Sequence, residues 1–277
     1  MSPRLSLTLL VVLLSVRLQL ALQIAESGRL VTVGKERMFL NCTGKGPGPT
    51  VILEAGTGDT SEVWAAVQKQ VQEFAHVCSY DRLGLGKSDK LVPPHTADEI
   101  VSDLHSLLQS AQVSPPYVMV GHSIGGIYVR KYAALYSEEV EGMVLLDSAH
   151  EEQFSRVSAL SPEWARRIAT KFSADDQRAN GFLPPNQHLN WRFDKPLIVI
   201  EHGQMPSGAA SDPMAQQSET VFHDLQRDLA SRSKYGRLRQ AKQSSPYIQR
   251  DQPDVVLHGI MDVIRESKRT GAEKPGD

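Results

Sequence analysis

The sequence predicts an α/β fold in which a mostly parallel sheet carries helices on both faces. Short strand-like runs alternate with helical stretches from residue 29 onward, the order expected of parallel strands joined by helical crossovers. Runs such as Pro49–Ala55 are apolar almost throughout, which is typical of strands buried on both faces. The chain of 277 residues is long enough for one large domain of this class. We expect this domain over residues 29–267 and a frayed, charged tail over residues 268–277.

The first half of the domain contains a predicted hairpin and two strand–helix units. Trp64, Val67 and Val71 fall on one helical face, and the next helix opens with Thr96-Ala-Asp-Glu99, which matches a capping box. In chain order, the predicted elements are the hairpin strands Arg29–Val33 and Arg37–Cys42, the strand Pro49–Ala55, the helix Ser61–Phe74, the strand Ala75–Tyr80 and the helix from Thr96.

The second half contains the remaining strands and a long interruption. Tyr117–Gly121, Gly142–Asp147 and Pro196–Glu201 are predicted buried strands, and the charged stretch Tyr235–Lys242 is predicted to be an edge strand. The interruption, residues 148–194 approximately, is predicted to be a small lid over the carboxyl edge of the sheet, where open α/β sheets bind ligands. A long ordinary crossover is the alternative.

The first 25 residues resemble a secretory signal peptide, because Arg4 precedes an uncharged apolar run over Leu5–Val16. A poor cleavage pattern leaves an uncleaved membrane anchor as the second reading, and a merely apolar N-terminal arm as the third. We therefore expect the chain to be exported, periplasmic or secreted, or anchored to a membrane by this segment. Cys42 and Cys78 then either pair or are two buried small side chains.

The overall charge argues against a nucleic-acid partner, because 30 Lys and Arg are balanced by 32 Asp and Glu. Two cysteines are too few for a zinc site. The turn Gly56–Ser61 lacks the third glycine of a dinucleotide-binding fingerprint. No metal or organic cofactor is therefore expected, and the sequence leaves the oligomeric state open.

The motif that carries chemistry is Gly121-His122-Ser123-Ile124-Gly125, between a predicted strand and a predicted helix. G-x-S-x-G at such a turn is a nucleophile elbow, in which glycines allow the tight turn and the serine hydroxyl is exposed. Ser123 is the predicted nucleophile. His122 is predicted to be a packing residue, because a neighbour on this turn points elsewhere.

With this motif the chain resembles the α/β-hydrolase fold family over nearly everything after residue 29. Glu54–Asp59 lies where the family has its oxyanion loop, and the resemblance implies that the backbone N–H groups of Thr57 and Ile124 hold the oxyanion. The run Tyr80–Asp89 looks like the family's D-x-x-G-x-G-x-S turn, which is structural, and we assign it no catalysis.

The resemblance also implies a catalytic acid and a histidine. Asp147 lies at one of the two strand ends where the family places its acid, with Asp212 in reserve. Aligning the stretch 241–256 with the family's last loop places Pro246 where the catalytic histidine is expected, and proline cannot accept a proton. His202, at the end of a strand, is the best-placed substitute base; His150 and His258 are weaker.

Three interpretations of position 246 stay open: a substitute base, impaired or lost turnover, or a substitution particular to this copy of the protein. The function that the resemblance implies is a serine hydrolase acting on a small-molecule carboxylic ester. The alternative is a non-catalytic binding protein that keeps the hydrolase fold and its pocket.

Overall fold

The structure is a computed structural model that describes residues 28–90, 95–163, 191–205 and 211–272. The predicted signal or anchor segment, the centre of the predicted lid (164–190) and the last five residues lie outside these ranges. Within the described ranges, no helix is both long and apolar enough to cross a membrane.

The described strands form one eight-stranded sheet with the order β1-β2-β4-β3-β5-β6-β7-β8. Strands β3 to β8 are parallel to one another, and β2 joins them by an antiparallel pairing with β4. The strands are β1 Arg29–Val33, β2 Glu36–Thr43, β3 Thr50–Glu54, β4 Val77–Tyr80, β5 Tyr117–His122, β6 Val140–Leu146, β7 Leu197–His202 and β8 Gly236–Ala241. This sheet confirms the predicted fold class, and β8 is an edge strand as its charges indicate.

Seven α-helices connect or flank these strands in the described residues. They are α1 Ala65–Val71, α2 Ala97–Ser110, α3 Gly125–Leu135, α4 Gln153–Leu160, α5 Pro213–Ser231, α6 Ile248–Asp251 and α7 Pro253–Ala272. The predicted helix Ser61–Phe74 is divided into a 3₁₀ turn over Ser61–Trp64 and α1. The helix α7 extends to Ala272 and so includes the first five residues of the segment predicted to be a frayed tail.

Two hydrophobic cores lie on opposite faces of the sheet, because successive side chains of a strand point to opposite faces. In β5, Val118 and Val120 belong to one core and Met119 to the other. The first core includes residues of α1 and α7, and the second includes residues of α2 and α3. Both faces of the central strands are therefore covered, and functional groups project at the carboxyl edge.

The capping box predicted at the start of α2 is present. The Glu99 N–H donates to Thr96 Oγ1 at 3.2 Å, and the Thr96 N–H donates to Glu99 Oε2 at 2.7 Å. These bonds satisfy two backbone donors that the first turn of a helix leaves free.

Cys42 and Cys78 form a disulfide between the antiparallel strands β2 and β4, where they are direct partners in the register. The sequence left open whether they pair. The pairing is decided by the strand register, which brings their Cα atoms to 4.1 Å.

Reducing this disulfide should lower the free energy of unfolding by about 4 kcal/mol, because the bond closes a loop of 36 residues in the unfolded chain. Urea unfolding with and without a dithiol reductant measures the difference. The double variant Cys42→Ser, Cys78→Ser is the control and should show the lower stability with no response to reductant. Equal midpoints for the oxidised and reduced parent would contradict the prediction.

Candidate active site

Ser123 lies at the sharp turn between β5 and α3, with a backbone φ of 53°. Its N–H donates to the Leu146 carbonyl at the end of β6 at 3.0 Å, which ties the turn to the neighbouring strand. The side chain is partly exposed, and within the described ranges its hydroxyl makes no hydrogen bond. The turn thus presents an unengaged hydroxyl at the carboxyl edge of the sheet.

The glycines on either side of Ser123 are required by close backbone contacts. A Cβ on Gly121 would lie 2.7 Å from the Cα of Gly126, and a Cβ on Gly125 would lie 2.6 Å from the Ala55 carbonyl oxygen. Any larger residue at either position would push apart the elbow or the loop after β3.

The loop after β3 lies directly against the elbow and carries Thr57. Among the residues that the structure covers, neither the Thr57 N–H nor the Ile124 N–H has a hydrogen-bond acceptor. Gly56 allows the approach, because a Cβ there would lie 2.8 Å from the ring of His122. Two free donors are what an oxyanion hole requires; their role stays a prediction.

Asp147 and His202, each proposed from its place at a strand end, are in contact. Asp147 follows β6 with a φ of 45°, and His202 ends β7. The His202 Nδ1 lies 2.8 Å from Asp147 Oδ1, and the His202 backbone N–H donates to the same oxygen at 2.8 Å. Both side chains are buried. A catalytic acid makes such a contact with its histidine, but the roles of these two residues stay predictions.

The other ring nitrogen of His202 faces Glu219 on α5, with Nε2 2.6 Å from Glu219 Oε1. Burial lowers the pKa of His202, but the hydrogen bonds and negative charges of Asp147 and Glu219 outweigh burial and raise it to about 10. Burial raises the pKa of the Asp147 carboxyl above its ordinary value, against the bond from His202. At neutral pH His202 is therefore an imidazolium held between two carboxyl groups.

Further carboxylate and imidazole groups adjoin Glu219. His223 lies 3.4 Å from Glu219 through Nε2 and 2.9 Å from Glu201 through Nδ1. Carboxylates and imidazoles thus alternate from Asp147 to Glu201.

Pro246 lies beside the elbow, as the alignment of the last loop indicates. Its carbonyl oxygen is 3.1 Å from the Nε2 of His122, the residue before Ser123. A carbonyl can only accept, so the His122 Nε2 carries the proton. Burial lowers the pKa of His122 to about 4, and the neutral ring packs against Tyr247 with centroids 5.2 Å apart. His122 thus links the end of β5 to the loop that carries Pro246.

Known proteins with similar sequences identify the family of this chain. A family described as "alpha/beta hydrolase fold" matches residues 49–180, which include the elbow. YqjL of Bacillus subtilis is 32% identical over 220 residues, which cover 78% of this chain and 83% of YqjL. The chain belongs to the α/β-hydrolase fold family.

Named hydrolases are more distant relatives of this hydrolase-fold chain. RutD of Yersinia enterocolitica, described as a putative carbamate hydrolase, is 29% identical over 114 residues, 40% of this chain and 41% of RutD. The structure of a thermophilic esterase from Thermogutta terrifontis superimposes with a TM-score of 0.64 at 16% identity, covering 87% of this chain and 99% of the esterase. At that identity the likeness shows the fold alone. Membership of the family and the match to RutD support a hydrolase-type function.

The reserve acid and the two weaker candidate bases have other contacts in the structure. Asp212 caps α5, where its Oδ1 accepts the Met214 N–H at 2.9 Å. His150 is bound to Asp228 at 3.0 Å in a buried ion-pair group, and His258 is exposed on α7. No hydrogen bond joins Ser123 to His202 in the parts of the chain described. The structure therefore assembles the pair Asp147–His202 and the elbow, but does not link them directly.

Sequence reasoning missed Glu219, Glu54 and Arg82. Glu219 and His223 are four residues apart on α5 and share a helical face, a spacing that was available as a signal. Arg82 and Glu54 are buried together beside the loop that carries Thr57. Their pairing spans 28 residues, and a single sequence contains no signal for it beyond a charged residue, Glu54, at the end of an otherwise apolar strand.

Proposed function

We propose that this chain is a serine hydrolase of carboxylic esters with Ser123 as its nucleophile and a small-molecule acyl substrate. The observation that carries the proposal is the elbow, where Ser123 has a φ of 53° and a hydroxyl that makes no hydrogen bond to any described residue. A non-glycine residue in this region costs about 1–3 kcal/mol, and such strain concentrates at functional sites. The surrounding glycines and the bond to Leu146 maintain the strained turn.

In the proposed reaction the Ser123 oxygen attacks the acyl carbon and the carbonyl oxygen becomes an oxyanion. The N–H groups of Thr57 and Ile124 have no competing acceptor among the described residues, so they are available to the developing charge without first breaking a bond. The leaving oxygen takes the proton removed from Ser123 and departs as the alcohol, and water then hydrolyses the acyl-enzyme to the carboxylic acid and free Ser123.

The proton of Ser123 requires a base, and His202 on Asp147 is the group proposed for it. Asp147 holds the ring through Nδ1, which leaves Nε2 as the accepting atom once Glu219 releases it. The raised pKa of His202, about 10, makes the neutral form scarce at pH 7. Turnover is therefore impaired at neutral pH in this proposal.

A non-catalytic binding protein is the second candidate, and Pro246 favours it. The side chain at the position where the family has a histidine is a proline ring, which cannot act as a base. The contact of Pro246 with the elbow is made by its backbone carbonyl, which lies 3.1 Å from the Nε2 of His122. Such a protein keeps the hydrolase fold to bind a ligand, and it does not require a nucleophile.

Export or anchoring by the first 25 residues is part of the proposal. The disulfide between Cys42 and Cys78 supports it, because such bonds persist in oxidising compartments and are rare in the cytosol.

Covalent labelling tests the nucleophile without requiring turnover. At pH 10, where about half of His202 is neutral, a fluorophosphonate should label the parent at one serine, and the variant Ser123→Ala should not be labelled, because the probe reacts only with an activated hydroxyl. Intact-protein mass spectrometry and peptide mapping give the stoichiometry and the site.

The matched control is Ser148→Ala, which removes a buried hydroxyl at the neighbouring strand end and should leave labelling unchanged. Labelling that survives Ser123→Ala would reject Ser123 as the nucleophile. A folded parent that takes up no probe would favour the binding protein.

A further inference from the structure

One buried guanidinium holds the loop that carries Thr57. Arg82 lies just after β4 and its side chain is 3% exposed. Nη1 donates to the Ala55 carbonyl at 2.7 Å, and Nη2 donates to the Gly56 carbonyl at 2.5 Å. Nη1 also pairs with the carboxylate of Glu54, the last residue of β3. Arg82 therefore contacts three successive residues of the chain segment that precedes Thr57.

The bond to Gly56 fixes the direction of the Thr57 N–H. In a planar trans peptide the C=O and N–H groups of one unit point in opposite directions. Because the Gly56 carbonyl points at Arg82, the N–H of the same peptide unit, that of Thr57, points away from Arg82. This N–H is one of the two unpaired donors beside the elbow, as judged over the described residues.

The shape of the group matters as well as its charge. A guanidinium presents several donors in a rigid plane, whereas the single ammonium of lysine cannot span two carbonyls and a carboxylate with the same geometry. Losing a donor leaves a buried carbonyl unpaired, which is unfavourable and promotes rotation of the peptide toward another donor.

The charge of Arg82 is balanced locally. Glu54 is completely buried, and its second carboxylate oxygen accepts the Tyr80 hydroxyl. Buried ion pairs are often no more stabilising than apolar side chains of the same size. The stability of the fold is therefore a weak explanation for the buried Arg82–Glu54 pair at this loop. The fixed orientation of the Thr57 N–H is a more specific one.

We infer that Arg82, held by Glu54, is a positioning residue that orients the Thr57 N–H for the oxyanion. The inference rests on the proposed serine hydrolase function and adds to it, since the turn that carries Arg82 was expected to be structural only.

The conservative variant Arg82→Lys tests the inference, because it keeps the positive charge beside Glu54 and loses the planar fork. Fluorophosphonate inactivation of Ser123 should show a maximal rate about 10–100-fold lower, with the concentration for half-maximal rate changed less than twofold. The phosphonyl oxygen needs the oriented N–H in the transition state, whereas initial binding does not. Hydrogen–deuterium exchange of residues 54–59 should be faster in the variant.

Arg130→Lys is the matched control, since Arg130 is also fully buried and donates to two backbone carbonyls, those of Gly126 and Ala149. It should lower the melting temperature by a similar amount with a much smaller effect on the maximal rate. Equal rate losses in the two variants would overturn the inference, as would unchanged exchange at residues 54–59 in Arg82→Lys. A parent that is never labelled at Ser123 would instead reject the proposed function, and the exchange comparison would still decide whether Arg82 holds the loop.

Discussion

Ester turnover by the parent protein should rise about tenfold per pH unit from pH 7 to a plateau near pH 10. The proposed base is the neutral form of His202, whose pKa of about 10 leaves about one molecule in 10³ unprotonated at pH 7. Initial rates on a short-chain ester, followed by titration of the released acid, give the profile. Ser123→Ala, measured at each pH, supplies the rate of hydroxide hydrolysis to subtract.

Removing the charge of Glu219 should move this profile to lower pH. Glu219→Gln eliminates one of the two carboxylates that raise the pKa of His202, so the neutral fraction at pH 7 increases by about tenfold for every unit that the pKa falls. Asp224→Asn is the matched control, because Asp224 is on the same helix and pairs with Arg227 instead. It should leave the profile unchanged.

Stability has the opposite dependence on pH and must be followed in parallel. The pKa of His202 in the folded protein, about 10, lies above its ordinary value of about 6.5. Its ion pairs therefore contribute stability that is fully present below about pH 6.5 and is lost as the pH rises through about 10. Melting temperatures at each pH define the range in which rates refer to folded protein.

Two results would contradict His202 as the base. One is a corrected rate that does not change between pH 7 and 10 in protein that stays folded. The other concerns His202→Gln, which should lower turnover at pH 10 by about 10³, within the range that general bases contribute. A variant that keeps the parent's profile would exclude the histidine.

Local patterns were sufficient to predict the sheet and the elbow. Strands such as β5 and β7 are buried on both faces and are apolar except at their carboxyl ends, so their sequences identify them. The elbow motif is local too, because its glycines and Ser123 lie within five consecutive residues and the contacts that require Gly121 are within the turn itself. Asp147 and His202 were predicted from their places at strand ends; their roles stay predictions.

Contacts between segments that are distant in the sequence could not be predicted from it. The disulfide depends on the register between β2 and β4, which neither strand specifies alone. Glu219 reaches His202 from a helix that begins 11 residues after the strand, and Arg82 reaches the loop after β3 through a buried pair. In each case the packing of whole elements, and not a local pattern, brings the groups together.

Pro246→His should raise ester turnover at pH 7 by about 10²–10⁴, the contribution of a positioned general base. Pro246 lies in the loop that contacts His122, next to the nucleophile, and an imidazole there would supply a group that can accept the proton of Ser123. The comparison is the initial rate on the same ester at pH 7 for the parent and the variant. Pro246→Gln is the control, because it also removes the proline ring but supplies no base, and its rate should match the parent.

The outcome separates the two readings of this chain. A large rise with histidine and none with glutamine would mean that elbow, oxyanion donors and acid are in place and that one substitution disables the enzyme. A parent that already turns over well at neutral pH and gains little would contradict this prediction and assign the base elsewhere. If both proteins are folded and inactive from pH 7 to 10, the ester hydrolase proposal fails, because every other part of the site would then be present without chemistry. The chain would in that case be a binding protein with the hydrolase fold.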